Sequence, residues 1–125
     1  MSTGKKILIA EDDKYLRNAI RVKLEKAGFT AIVAEDGQQA IEQLKTNVPD
    51  VIILDLVMPV KDGFTVLEEV RANPLTKRIP VIVASNLGQK EDIDKATRLG
   101  ATDYIIKTNL SLGDLVTKIT KFVSK

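Results

Sequence analysis

Ile7-Leu8-Ile9-Ala10-Glu11-Asp12-Asp13 sets four apolar residues in a row, without polar alternation, against three consecutive acids. Such a run reads as a strand buried on both faces, the kind found in parallel sheets covered by helices. Four more runs repeat the pattern: Ala31-Ile32-Val33-Ala34, Val51-Ile52-Ile53-Leu54, Val81-Ile82-Val83-Ala84 and Tyr104-Ile105-Ile106. Between them the period becomes helical. Leu16, Ala19, Ile20, Leu24 and Ala27 share one stripe; Ala40, Ile41 and Leu44 a second; Phe64, Leu67 and Val70 a third; Ile93, Ala96 and Leu99 a fourth. The fifth, widest stripe carries Leu112, Leu115, Val116, Ile119, Phe122 and Val123. Gly28 and Gly100 stand where helices should stop, Pro49 follows the second helix, and Asp36, Asp62 and Ser111 have the chemistry and position of N-caps. Strict alternation of strand and helix predicts an α/β fold: a doubly wound, five-stranded parallel sheet with right-handed crossovers and five helices on its two faces.

A chain of 125 residues with 44% hydrophobic and 29% charged residues has the size and balance of one globular domain, residues 1–125. No apolar run is long enough to cross a bilayer and the first residues lack a signal-peptide core, so the expectation is a cytoplasmic protein away from the membrane. Cys and His are both absent, which excludes disulfides, thiolate sites and imidazole chemistry; any metal must be held by oxygen. A formal charge of +2 with 4% aromatic residues leaves no footprint for direct nucleic-acid binding.

In open sheets of this type the reactive crevice lies beyond the carboxyl ends of the strands. The first run ends in Glu11-Asp12-Asp13, the third in Asp55, the fourth in Ser85-Asn86 and the fifth in Lys107. Any one of these alone is an ordinary turn residue, and Asp13 suits a helix cap. Together they bring three carboxylates, a lysine and a hydroxyl to one edge. Like charges about 4 Å apart repel by roughly 4 kcal/mol at an effective dielectric of 20, so the cluster calls for a proton or a cation. Mg²⁺, or Mn²⁺ in its place, suits Asp12 and Asp55 as direct ligands with Glu11 through water; the spaced acidic loop of an EF-hand is missing. Asp55 is then the candidate nucleophile toward phosphorus, Lys107 a clamp on the transferring oxygens and Ser85 a hydroxyl donor to the attached group. The competing structural reading has Lys107 simply neutralising Asp55.

These motifs resemble, over essentially the whole chain, the receiver domains of two-component response regulators, and among them the stand-alone chemotaxis type. The acidic pair falls on Glu11 and Asp12, the phosphoacceptor stretch on Leu54-Asp55-Leu56-Val57-Met58-Pro59 followed by Asp62-Gly63, and the switch hydroxyl on Ser85. The switch aromatic and strand-end lysine fall on Tyr104 and Lys107. The resemblance implies the flavodoxin-like strand order 2-1-3-4-5. It implies phosphorylation of Asp55 by a phosphohistidine on a sensor histidine kinase or phosphotransfer protein, with Mg²⁺ held by Asp12, Asp55 and the backbone carbonyl of Val57, assisted by Glu11. It further implies a downstream output protein reached through helix four, strand five and helix five, the face through which related domains often form homodimers. Such a domain is not an enzyme toward a separate substrate; it catalyses only its own phosphorylation and dephosphorylation.

Two departures stand out. The family usually places Pro, joined by a cis bond, after the lysine, but Thr108 follows Lys107 here, and a cis bond without Pro costs about 2.5 to 4 kcal/mol. Either that bond is strained or the loop takes another path. No output domain follows helix five within these 125 residues, so output is expected through another protein unless the sequence is a piece of a longer chain. Three other readings compete. A haloacid-dehalogenase-like phosphatase needs a carboxylate two residues after the nucleophile, where Val57 stands. A flavodoxin-like cofactor binder would meet repulsion from Glu11-Asp12-Asp13. An unphosphorylated protein-binding module has only Thr108 in its favour. Val57 and Leu87 are expected to flank the approach of a hydrolytic water without orienting it, giving slow dephosphorylation. Lys14, Arg17, Asn18 and Arg21 are candidates for kinase recognition on the exposed face of helix one.

Overall fold

The computed structural model describes residues 3–124. Five parallel strands, β1 (Lys6–Ala10), β2 (Thr30–Ala34), β3 (Val51–Leu54), β4 (Val81–Ser85) and β5 (Asp103–Ile106), form one sheet in the order β2-β1-β3-β4-β5. The connections carry α1 (Lys14–Lys26), α2 (Gly37–Thr46), α3 (Gly63–Ala72) and α4 (Lys90–Arg98), and α5 (Leu112–Val123) closes the fold. This is the doubly wound parallel sheet expected from the alternating pattern, in the flavodoxin-like strand order that the resemblance implies. No helix among the described residues is long and apolar enough to cross a membrane.

Alternate strand residues feed two cores. Leu8, Ala10, Ile52, Leu54, Val81 and Val83 pack with Ala40, Leu44, Val66, Leu67, Val70 and Ala96 of α2, α3 and α4. Ile7, Ile9, Val51, Ile53 and Ile82 pack with Ile20, Leu24, Leu115 and Ile119 of α1 and α5. Each fully buried Leu or Ile contributes roughly 1.5 to 3 kcal/mol from water exclusion, so β1, β3 and β4 form the rigid centre. Burial on both faces holds for those three strands; β2 and β5 are edges and only half-buried, a distinction their composition does not carry.

The helix boundaries follow local chemistry. Asp13 caps α1 through the amides of Tyr15 and Leu16, Asp36 caps α2 through Gln39, Asp62 caps α3 through Thr65, and Ser111 caps α5 through Asp114. Gly28 and Gly100 adopt positive φ, 93° and 108°, and reverse the chain after α1 and α4. The stripe on α1 needs one correction. Ala19 and Ala27 are exposed, and the core face is instead Arg17, Ile20 and Leu24. Arg17 therefore does not belong to an exposed recognition face.

Candidate functional site

Three loops at the carboxyl ends of β1, β3 and β5 build the site. β1 and β3 are adjacent and in register, Ala10 opposite Leu54, so the residues after them meet. The Asp55 amide donates to the Ala10 carbonyl at 2.9 Å, which extends the ladder by one residue and sets Asp55 beside Glu11. A carboxylate oxygen from each of Glu11, Asp12 and Asp55 lies within 4.8 Å of the others. Glu11 and Asp55 are buried, whereas Asp12 faces solvent.

Lys107 closes this cluster from β5's end. Its Nζ donates to Glu11 Oε2 at 2.9 Å and to Asp55 Oδ2 at 3.0 Å. Burial acts to lower the Lys107 pKa, but the bonds to Glu11 and Asp55 outweigh it and hold the ammonium above its usual value. Burial pushes Glu11 up to about 7 despite the Lys107 bond, and burial likewise raises Asp55, with Asp12 adding to the shift. One lysine thus leaves the acid cluster under-compensated. Three hard oxygen donors, two of them held reluctant to ionise, fit a divalent oxygen-binding cation better than another proton.

The loop problem posed by Thr108 is resolved by a different path. No peptide among the described residues is cis, and Lys107–Asn109 instead forms a single 3-10 turn, with the Leu110 amide on the Lys107 carbonyl at 3.1 Å. Lys107 reaches both carboxylates from this turn, so proline is not required to place it.

The β3–α3 loop returns sharply. Asp55 Oδ1 accepts the Val57 amide at 3.2 Å, and the Gly63 amide donates to the Leu56 carbonyl at 2.9 Å. Gly63 lies so close to the strand end that a Cβ there would stand 2.1 Å from the Asp55 carbonyl oxygen. Gly37, at the start of α2, meets the Lys61 carbonyl in the same way, at 1.9 Å. Both glycines admit backbone where no side chain fits. Val57 is exposed.

Ser85 and Tyr104 do not join the acidic cluster directly. Ser85 is fully buried and its Oγ accepts the Leu87 amide at 3.1 Å. The Tyr104 hydroxyl donates to the Leu87 carbonyl. Burial raises the Tyr104 pKa, while a hydrogen bond with Ser85 acts to lower it, so the two hydroxyls are neighbours. Leu87 consequently links the residue at the end of β4 with the aromatic on β5.

Sequence reading missed Arg17 as part of this region. Its Nη1 donates to the Glu11 carbonyl at 2.9 Å and the Asp12 carbonyl at 3.4 Å, and its Nη2 to Glu35 Oε1 at 3.2 Å. The available signal was its position three residues before Ile20 and seven before Leu24, on the buried stripe.

Sheet order, crossing helices and an acidic strand-end pocket closed by lysine define a doubly wound α/β domain with a reactive crevice at the strand ends. Residues 7–120 match the response regulator receiver domain, and the chain belongs to that family, the receivers of two-component systems. It is similar to the chemotaxis protein CheY of Bacillus subtilis, 38% identical over 103 residues, covering 82% of this chain and 84% of that protein. Similarity to the phosphate regulon transcriptional regulatory protein PhoB of Escherichia coli, 34% identical, covers 93% of this chain but 50% of that protein. The chain thus spans about half the length of the PhoB-type relatives it matches. In three dimensions the receiver domain of a Francisella response regulator superposes with a TM-score of 0.87 at 33% identity, covering 95% of this chain and 96% of that one. Receiver domains are signalling modules that bind Mg²⁺ at an acidic pocket and work with histidine kinases and output domains.

Proposed function

We propose that this domain accepts a phosphoryl group on Asp55 from a phosphohistidine of a kinase or phosphotransfer protein in the cytosol, and thereby alters the surface of α4, β5 and α5. The observation that carries the reading is the half-buried Lys107 ammonium bridging Glu11 and Asp55. An Asp55 carboxylate oxygen attacks phosphorus; the new O–P bond forms as the donor's N–P bond breaks, and the departing imidazole keeps the electron pair. Lys107, already at Asp55 Oδ2, meets the charge gathered on the transferred oxygens without reorganising. Asp12 and Asp55, with the Val57 carbonyl and Glu11 assisting, would hold Mg²⁺ or Mn²⁺, which supplies charge neutralisation for the phosphoryl group.

Switching is proposed to run through Leu87. A phosphoryl oxygen on Asp55 accepts from the Ser85 hydroxyl and draws Ser85 toward it, Ser85 Oγ moves away from the Leu87 amide, and the loop shifts beneath Tyr104. Incubation with a small acyl-phosphate donor and Mg²⁺ should add one phosphoryl group by intact mass, and excess chelator should abolish the gain. A mass gain that persists in chelator would overturn the metal dependence. No gain with donor and metal would favour the unphosphorylated protein-binding module.

The phosphorylated form is expected to decay slowly. Val57 is exposed at the mouth and Leu87 half-buried, and neither side chain can orient water or take its proton. A decay series on wild type, Val57→Asn, Leu87→Glu and the double variant should show faster loss of phosphate with each polar group. Equal or slower decay in all three would refute this account.

A further inference from the structure

We infer that Arg17 is a positioning residue for the cation and phosphoryl chemistry of the acidic loop, an inference that rests on the proposed function. The β1 ladder ends at Ala10, paired with Ala34 on one side and Leu54 on the other. Beyond it the Glu11 amide still donates to the Ala34 carbonyl, but the chain then turns out of the sheet. The carbonyls of Glu11 and Asp12 therefore have no strand to pair with, and the Arg17 guanidinium supplies the donors. Its side chain is about one-tenth exposed, so these bonds are largely shielded from water.

The consequence falls on Asp12. Glu11 is fixed by its own carboxylate bonds, to the Asp13 amide and Lys107. Asp12 is exposed, and what directs its carboxylate toward Asp55 is the path of its backbone. Arg17 holds that backbone on both sides, through the Glu11 and Asp12 carbonyls, from a helix whose start is fixed by the Asp13 cap. A planar fork can reach two carbonyls and Glu35 together, which a lysine ammonium in its place cannot match in geometry. Groups that orient ligands without touching the ion typically change metal affinity by about 10- to 100-fold when removed.

The alternative is that Arg17 only ties α1 to β2 through Glu35, and the two roles separate by variant. Mg²⁺ dissociation constants would be measured by titration calorimetry on wild type, Arg17→Met, Arg17→Lys and Glu35→Gln, alongside melting temperatures and the rate of phosphorylation by a small acyl phosphate. Positioning predicts Mg²⁺ binding weakened about 10-fold or more in Arg17→Met, partly recovered in Arg17→Lys, and unchanged within about twofold in Glu35→Gln. Phosphorylation by the small donor should slow at low Mg²⁺ and recover toward wild type at saturating Mg²⁺. If Arg17→Met fails to fold, Arg17→Lys carries the test, because weakened Mg²⁺ binding in a lysine variant that still folds needs the fork geometry. Unaltered Mg²⁺ affinity in folded Arg17 variants, with only the melting temperature lowered, would overturn the inference while leaving the proposed function standing. Absence of Mg²⁺ binding by wild type would overturn both.

Discussion

Asp55→Asn should eliminate phosphorylation entirely while leaving the domain folded and at least as heat-resistant as wild type. Loss of the modification follows because Asp55 is the carboxylate at the end of β3, beside Glu11 and under Lys107, and an amide oxygen is too weak a nucleophile toward phosphorus. Retained stability follows from the electrostatics. Burial raises the Asp55 pKa, with Asp12 adding to the shift, so ionising this carboxyl is harder in the folded domain than in water. Asn keeps the shape and removes one of three crowded charges, which offsets the loss of one bond: its single oxygen accepts from Lys107 or from the Val57 amide, not from both. Intact mass after acyl-phosphate treatment, with a thermal melt of the same sample, checks both halves. A surviving mass gain would move the acceptor elsewhere, and a large drop in melting temperature would mean that Lys107 needs the Asp55 charge.

Gly63→Ala should be the most damaging single methyl group in the phosphoacceptor loop, at about 3 kcal/mol of stability. The added carbon would meet the Asp55 carbonyl oxygen at 2.1 Å and the Leu56 Cα at 2.6 Å, both main chain, so no side-chain rotation relieves the overlap. To make room, α3 would back away from β3 and loosen the bond from the Gly63 amide to the Leu56 carbonyl. Gly113→Ala provides the contrast. Its new carbon would approach nothing closer than Ser111 Oγ at 3.9 Å, and a helical Gly-to-Ala change should gain about 0.5 to 1 kcal/mol. Urea denaturation of both variants would check the opposite signs; equal, small effects would mean that the loop has slack the geometry does not indicate.

The contrast between these two glycines also shows what a sequence can and cannot disclose. Asp62-Gly63 is legible as a helix cap followed by a helix, and Leu112-Gly113-Asp114 as part of another, yet only the fold puts the back of a strand against one of them. β1, β3 and β4 were legible because each carries four consecutive apolar residues, and the acidic pair, Asp55 and Lys107 were legible because each directly follows an apolar run. Arg17 was not, since a basic side chain on a helix is ordinarily solvated and its carbonyl partners come from backbone, which carries no residue code. Thr108 left two outcomes open, a strained bond or another path for the loop. The structure takes the second, since a tight turn of Lys107–Asn109 brings the lysine to both carboxylates without proline.

The link through Leu87 sets a bound on how strongly the domain can signal. Its amide and carbonyl are the junction between Ser85 and Tyr104, so the proposed message passes through little more than one hydrogen bond gained and one lost. A net worth of about 1 kcal/mol per bond corresponds to a roughly fivefold change in the ratio of two surface conformations. A receiver wired this way would be a dimmer more than a toggle, and a sharp response would have to come from the affinity of whatever reads it.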